Sequence, residues 1–245
     1  MIHSGKVWDQ LLPILYPRHC PVCSRTLSYG KLICSGCRDS LPWIREPVCF
    51  MCGKPVLSYE QELCYDCRSF PKSFHSGLSL LLYNEKTRPF IADFKYHNRR
   101  YLSRFFAEEI VLRYRNRINT GKIDLIIPVP VHKHKLRTRG YNQAALLAGE
   151  LSRLTGIPSL HDLLIRVTDT IPQKQLTPQA RLSNLQGAFS LNPRYKKPGN
   201  SRTRILLTDD IYTTGATMES CTRVLLAAGY RQVDICTICT GVARD

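Results

Sequence analysis

The chain has 245 residues, enough for one full α/β domain with a small appendage. A hydrophobic content of 43% argues for a packed core rather than disorder, and no apolar run approaches the ~20 residues a membrane helix needs, so no membrane span is expected. The net charge of +16 is uneven: residues 1–70 carry eight Lys/Arg against six Asp/Glu and residues 71–245 carry 27 against 13, which suits a phosphate-rich partner, either a small phosphorylated ligand or a nucleic-acid backbone.

At the N-terminus Val7, Leu11, Leu12, Leu15 and Tyr16 form an amphipathic stretch that Pro13 and Pro17 interrupt. It lacks a small-residue cleavage site, so no signal peptide is read and a cytoplasmic location is expected. Eight of the eleven cysteines then fall into four Cys-x-x-Cys pairs: Cys20/Cys23, Cys34/Cys37, Cys49/Cys52 and Cys64/Cys67. Two intervening residues let one tight turn present both sulfurs to one ion, and two such knuckles complete a tetrahedron. Pro21, Gly36 and Gly53 occupy or flank those turns. The simplest pairing puts Cys20, Cys23, Cys34 and Cys37 at one zinc and Cys49, Cys52, Cys64 and Cys67 at a second; an interleaved pairing has the same spacing. Four thiolates leave no open position for water, so two structural zinc ions are expected rather than a hydrolytic centre. Residues 1–70 are therefore read as an N-terminal segment with a double zinc-ribbon module, and residues 71–245 as the larger domain. The stretch Arg68–Phe74 between them reads as a linker.

Beyond it, strand and helix patterns alternate. Leu78–Tyr83 is a short apolar strand, and Leu102–Tyr114 has helical spacing through Phe105, Phe106, Glu109, Val111 and Leu112. Between these, Phe94-Lys95-Tyr96-His97-Asn98-Arg99-Arg100 mixes aromatic and basic residues. It fits either a surface that stacks and tracks a single strand or a helix end with ordinary snorkelling side chains. Ile123–Pro128 is a buried strand that Pro128 ends, followed by a basic loop with Lys133, Lys135, Arg137 and Arg139 beside His132 and His134. Tyr141–Leu154 is helical, Arg204–Thr208 is a buried strand, and Thr217–Ala228 is a helix closed by Gly229 at the C′ position. Val233–Thr240 is a final buried strand. Its Cys236 and Cys239 repeat the Cys-x-x-Cys spacing, but strand geometry sends positions i and i+3 to opposite faces, so they and Cys221 are assigned to the core. The alternation implies a mainly parallel sheet covered on both faces by helices.

The most informative stretch is Ile205-Leu206-Leu207-Thr208-Asp209-Asp210-Ile211-Tyr212-Thr213-Thr214-Gly215-Ala216-Thr217. An apolar strand ends at two acids, and a Thr/Gly loop then opens a helix. Backbone N–H groups of such a loop and helix N-terminus surround a phosphate, with the hydroxyls of Thr213, Thr214 and Thr217 as added donors. Gly215 lets the backbone approach closely. The two carboxylates suit sugar hydroxyls instead.

This stretch resembles the phosphoribosyl-diphosphate motif of type I phosphoribosyltransferases. In that family the acids, here Asp209 and Asp210, hold the ribose hydroxyls, and the loop Thr213–Thr217 holds the 5′-phosphate; Thr208 departs from the usual apolar residue. Pro128-Val129-Pro130-Val131-His132 followed by Arg137-Thr138-Arg139-Gly140-Tyr141-Asn142-Gln143 resembles the competence protein F family. Its flexible active-site segment is matched by Gln173–Phe189, through Gln179, Arg181, Asn184, Gly187, Ala188 and Phe189. The resemblance implies a type I phosphoribosyltransferase-like α/β fold behind a double zinc ribbon, and phosphoribosyl diphosphate as ligand with Mg²⁺. It also implies single-stranded DNA handling on the cytosolic side in natural transformation, beside a competence helicase. Arg137 and Arg139 would neutralise the pyrophosphate, and Asp209 or Asp210 would accept a proton in ribosyl transfer. Catalysis, sensing without turnover, and a nucleic-acid adaptor with an unused pocket are the three readings that follow.

Overall fold

The computed structural model describes residues 18–120, 122–168, 187–195 and 202–242. Two short helices, α1 (Ser35–Ser40) and α2 (Tyr65–Ser69), belong to the cysteine-rich part. There follow β1 (Gly77–Leu82), α3 (Thr87–Tyr96), α4 (Leu102–Thr120), β2 (Leu125–Pro128), α5 (Lys133–Arg139) and α6 (Gln143–Thr155). A small pair, β3 (Leu164–Arg166) and β4 (Phe189–Leu191), precedes β5 (Arg204–Tyr212), α7 (Ala216–Ala227) and β6 (Gln232–Thr240). The N-terminal amphipathic stretch and residues 173–186 of the Gln173–Phe189 segment lie outside the described residues.

The main sheet has the order β1-β6-β5-β2, every pair parallel, while β3 and β4 pair antiparallel. Buried side chains alternate across it. Leu206, Cys236 and Ile238 join a core with Phe90 and Phe94 of α3, Phe106 and Ile110 of α4, and Leu147 and Leu151 of α6. Ile205, Leu207, Val233 and Ile235 join a second core with Cys221 and Leu225 of α7. The sheet is therefore parallel with helices on both faces, as β-strands buried on two sides require.

Both sheet edges are covered. Trp43 bridges Leu81 of β1, with Ile44 N–H donating to Leu80 O at 3.1 Å and Leu82 N–H to Pro42 O at 2.9 Å. On the far edge Ile126 bridges Ser159. Pro128 pairs with Thr208 on this outer strand, where its missing N–H removes no central ladder bond.

The cysteine-rich part divides between the two cores. Cys20, Leu27, Leu32 and Leu41 pack into the core on α4, whereas Cys49, Cys52, Cys64 and Cys67 pack into the core on α7. The Cys49/Cys52 knuckle meets β1 backbone to backbone. A Cβ on Gly77 would lie 2.7 Å from Met51 O, and one on Gly53 (φ +74°) 3.0 Å from Gly77 O. Arg68–Phe74, read as a linker, is packed against the larger domain. Arg68 and Ser69 finish α2, Ser73 N–H and Oγ each donate to Glu219 of α7 at 2.7 Å, and Phe74 is 1% exposed. An aromatic residue with an apolar site to fill overrides a polar, Pro-containing local sequence.

Candidate functional site

In an open α/β sheet, ligands meet the carboxyl ends of the strands. There β5 runs on through both acids to Tyr212 rather than stopping at Thr208. Thr208 is fully buried, and its hydroxyl donates to Ala144 O of α6 at 3.3 Å, which accounts for a polar residue at that point. Because β5 continues, Asp209 and Asp210 point to opposite faces. Asp210 Oδ2 lies 3.0 Å from Lys95 Nζ, a lysine at the end of α3. Burial opposes the Lys95 charge, but Asp210 and Asp209 outweigh it and hold its pKa above the ordinary lysine value. Asp209 faces the α7 side, near Cys221 and Arg166. Burial, reinforced by the Asp210 charge, pushes Asp209 up to about 7, against the opposing pull of the Asp210 N–H (2.8 Å) and Lys95.

Gly215 begins α7 as its N-cap with φ +78°, and a Cβ there would lie 2.3 Å from the Tyr212 hydroxyl. Only glycine fits, both for its left-handed backbone and for that close approach. Thr213 is exposed, Thr214 and Thr217 are partly buried, and Ala216 is buried. The Thr214 Oγ1 and Tyr212 Oη atoms are buried without a hydrogen-bond partner among the described residues. Buried hydroxyls of this kind are costly unless a ligand satisfies them.

The basic loop after β2 is the helix α5. His132 caps its start, Nδ1 accepting from His134 N–H at 3.4 Å, and Gly140 (φ +77°) ends it. Arg137 is exposed. Arg139 stacks 4.9 Å from the centre of the Tyr96 ring, donating to Tyr96 Oη at 3.2 Å and to Gln143 Oε1 at 3.3 Å. In the Phe94–Arg100 segment, Phe94 is core and Tyr96 is exposed. His97 and Arg99 both pair with Asp93, and Arg100 lies over Tyr141. Lys95 and Tyr212 are the site residues that motif reasoning missed. One signal for Lys95 was present: it follows Ile91 by four residues and so falls beside the buried stripe Phe90, Ile91 and Phe94.

The cysteines gather into two clusters, Cys20/Cys23/Cys34/Cys37 and Cys49/Cys52/Cys64/Cys67, with all ligand sulfurs of each within 4.8 Å of one another. The sequential pairing holds and the interleaved one does not. Cys23 and Cys34 sulfurs lie 3.7 Å apart and Cys52 and Cys64 sulfurs 3.6 Å. A tetrahedron with Zn–S bonds of about 2.3 Å has edges of about 3.8 Å, so both donor sets fit structural zinc. Cys236 and Cys239 are buried in β6 and belong to neither cluster. Among the described residues no helix is long and apolar enough to cross a membrane.

Residues 11–68 match a family described as a double zinc ribbon domain. The chain is similar to competence protein F of Haemophilus influenzae, at 32% identity over 88% of this chain and 94% of that protein. It is also similar to competence protein ComFC of Bacillus subtilis, at 29% over 83% and 81%. DNA utilization protein YhgH of Escherichia coli K12 is 26% identical over 91% and 97%. Among solved structures, the purine phosphoribosyltransferase of Pyrococcus horikoshii superposes with a TM-score of 0.35 at 13% identity, covering 56% of this chain and 83% of that one. The adenine phosphoribosyltransferase of Leishmania tarentolae does so with a TM-score of 0.38 at 14% identity, covering 66% and 91%. At such scores the likeness assigns no residue a role. At 32% identity over 88% of its length to competence protein F, the chain belongs to the competence protein F family.

Proposed function

We propose that this protein binds phosphoribosyl diphosphate with Mg²⁺ at the β5–α7 loop and handles single-stranded DNA in the cytosol during DNA uptake. The observation that carries the reading is the pair of buried, unpartnered hydroxyls, Thr214 Oγ1 and Tyr212 Oη, at a glycine-opened helix N-terminus beside two acids. In this reading the N–H groups of Thr213–Thr217 and the Thr214 hydroxyl take the 5′-phosphate. Asp209 and Asp210, which leave the strand end on opposite sides, would each accept from one hydroxyl of a ribose lying across that end. Lys95 and Arg137 face the diphosphate charge, with Arg139 held nearby on Tyr96. Mg²⁺ bound with the ligand would supply charge neutralisation to the diphosphate, with the carboxylates of Asp209 and Asp210 available at the strand end. If a nucleophile then attacks C1′, the chain's contribution is positioning and charge, with pyrophosphate as the leaving group.

The names of its relatives, competence and DNA utilization proteins, and the net charge of +16 support the DNA side of the reading. A helicase of the uptake machinery is the fitting protein partner. Titration calorimetry of the zinc-loaded chain with the Mg²⁺ complex, with and without a single strand, tests the reading. Micromolar binding that Asp209→Asn with Asp210→Asn abolishes is expected. Unchanged affinity in that double variant would remove the ribose assignment. Turnover against a panel of nucleobases and amines separates a transferase from a sensor.

A further inference from the structure

The second cysteine cluster and the phosphate loop are separated by one side chain. Tyr212, 2% exposed, closes β5, and its hydroxyl occupies the space that a side chain on Gly215 would take at the opening of α7. The ring meets the edge of Phe74 at 6.3 Å between centroids. Lys54 Nζ lies 5.7 Å from the ring centre and 2.6 Å from Asp66 Oδ2. Lys54 follows the Cys49/Cys52 knuckle, and Asp66 sits between Cys64 and Cys67. Those four cysteines, Phe74, Tyr212 and Ala216 share one core. The path Asp66–Lys54–Tyr212–Gly215 thus runs from inside a metal knuckle to the loop by direct contact. The first cluster packs into the other core, against α4 and the β1 edge.

We propose that the Cys49/Cys52/Cys64/Cys67 site buttresses the phosphate loop, so that metal held there and phosphoribosyl diphosphate held at the loop stabilise each other, while the first zinc site stands outside this coupling. The proposal rests on the loop reading above. Buried cores deform little and settle into discrete packings, so a knuckle that slackens displaces the Tyr212 ring, and Gly215 moves with its hydroxyl. Linkage makes the effect reciprocal: whatever loss of metal does to ligand affinity, ligand does equally to metal affinity. The asymmetry between the two zinc ions follows from the packing alone, because they have the same four-thiolate chemistry.

The test measures zinc release to a chromogenic chelator from the full chain carrying two zinc ions, with and without the Mg²⁺ complex of phosphoribosyl diphosphate, alongside calorimetric binding. Ligand is expected to slow one equivalent by about fivefold or more and leave the other unchanged. A Cys23→Ser chain, lacking a first-site ligand, should keep the protected equivalent. Lys54→Met should lose most of the protection while still binding two zinc ions. Ligand that binds the wild-type chain but leaves both release rates unchanged overturns the buttress alone. Protection that disappears in Cys23→Ser overturns it too, by assigning the coupling to the other site. Absence of any calorimetric binding overturns the loop reading and the coupling together.

Discussion

Asp209 and Asp210 are adjacent in sequence and chemically alike, yet their surroundings separate them. Asp210 has Lys95 at 3.0 Å, while Asp209 is lifted from 3.8 to about 7 by burial and by its neighbour's charge. Between those two values the folded chain keeps a proton that the unfolded chain has released. This residue's contribution to stability is therefore present at low pH and is lost as pH rises through that window. In the proposed reading the ribose diol needs an acceptor, so ligand binding would expel the same proton. Affinity for the Mg²⁺ complex should rise from about pH 6 to about pH 8, and calorimetry in buffers of different ionisation enthalpy should register the proton released. Asp209→Asn should flatten that profile. Lys95→Met should move the rise to higher pH, since the cation that assists ionisation is gone; an unmoved profile would show that Lys95 acts only structurally. The acids and the Thr/Gly loop stood out in the sequence because a strand, two carboxylates and a loop opening a helix have few other uses. Tyr212 did not, and Lys95 did so only through its place beside the buried stripe of its helix, because their contacts are brought together from distant segments.

Elements were easiest to read where periodicity decided them and hardest where caps or tertiary packing did. Helix α6 shows the first case: Ala144, Leu147, Ala148 and Leu151 form its buried stripe, Asn142 caps it and Gly156 (φ +76°) ends it. Helix α5 shows the second. Its seven residues have no buried face, and a His cap and a left-handed glycine define it, so its composition reads as a basic loop. The length of β5 was hidden because its last residues, Asp209 to Tyr212, owe their strand geometry to pairing with Thr237, Cys239 and Thr240 of β6. Gly77 carried no sequence signal at all. It opens β1 with ordinary backbone, but a methyl there would meet Met51 O at 2.7 Å and Cys52 backbone atoms at 2.8 Å. Gly77→Ala should therefore destabilise the chain by about 1–3 kcal/mol through overpacking, read as a lower denaturant midpoint. A neutral result would mean that the knuckle can step away from β1.

For the whole molecule, the two-part division is clear in composition, but the contact between the parts is not. Composition separates cysteines from α/β pattern, whereas packing sends each cluster to a different core. Excess positive charge belongs to residues 71–245, and single-strand affinity should fall with salt at a log–log slope of about −0.7 per phosphate contacted. Tyr96, 62% exposed and stacked on Arg139, is the aromatic surface placed beside the Lys95–Asp210 pair. Tyr96→Ala should cost about 1–3 kcal/mol of single-strand binding if a base stacks there, with the salt slope unchanged because no charge is removed. An unaltered affinity would return the segment to the role of an ordinary helix end.

The sheet order also has a bearing on how the chain reaches this state. β6 follows every other strand in the chain but lies between β1 and β5. Until it is made, β1 can pair only with its outer cover, the segment around Trp43, which leaves the ribosome before it. A nascent chain can thus assemble its metal knuckles and shield one side of β1 early, while the other side waits for the strand that joins β1 to β5. Synthesis of β6, rather than folding of a first module, is then the event that commits the sheet and the loop at its carboxyl end.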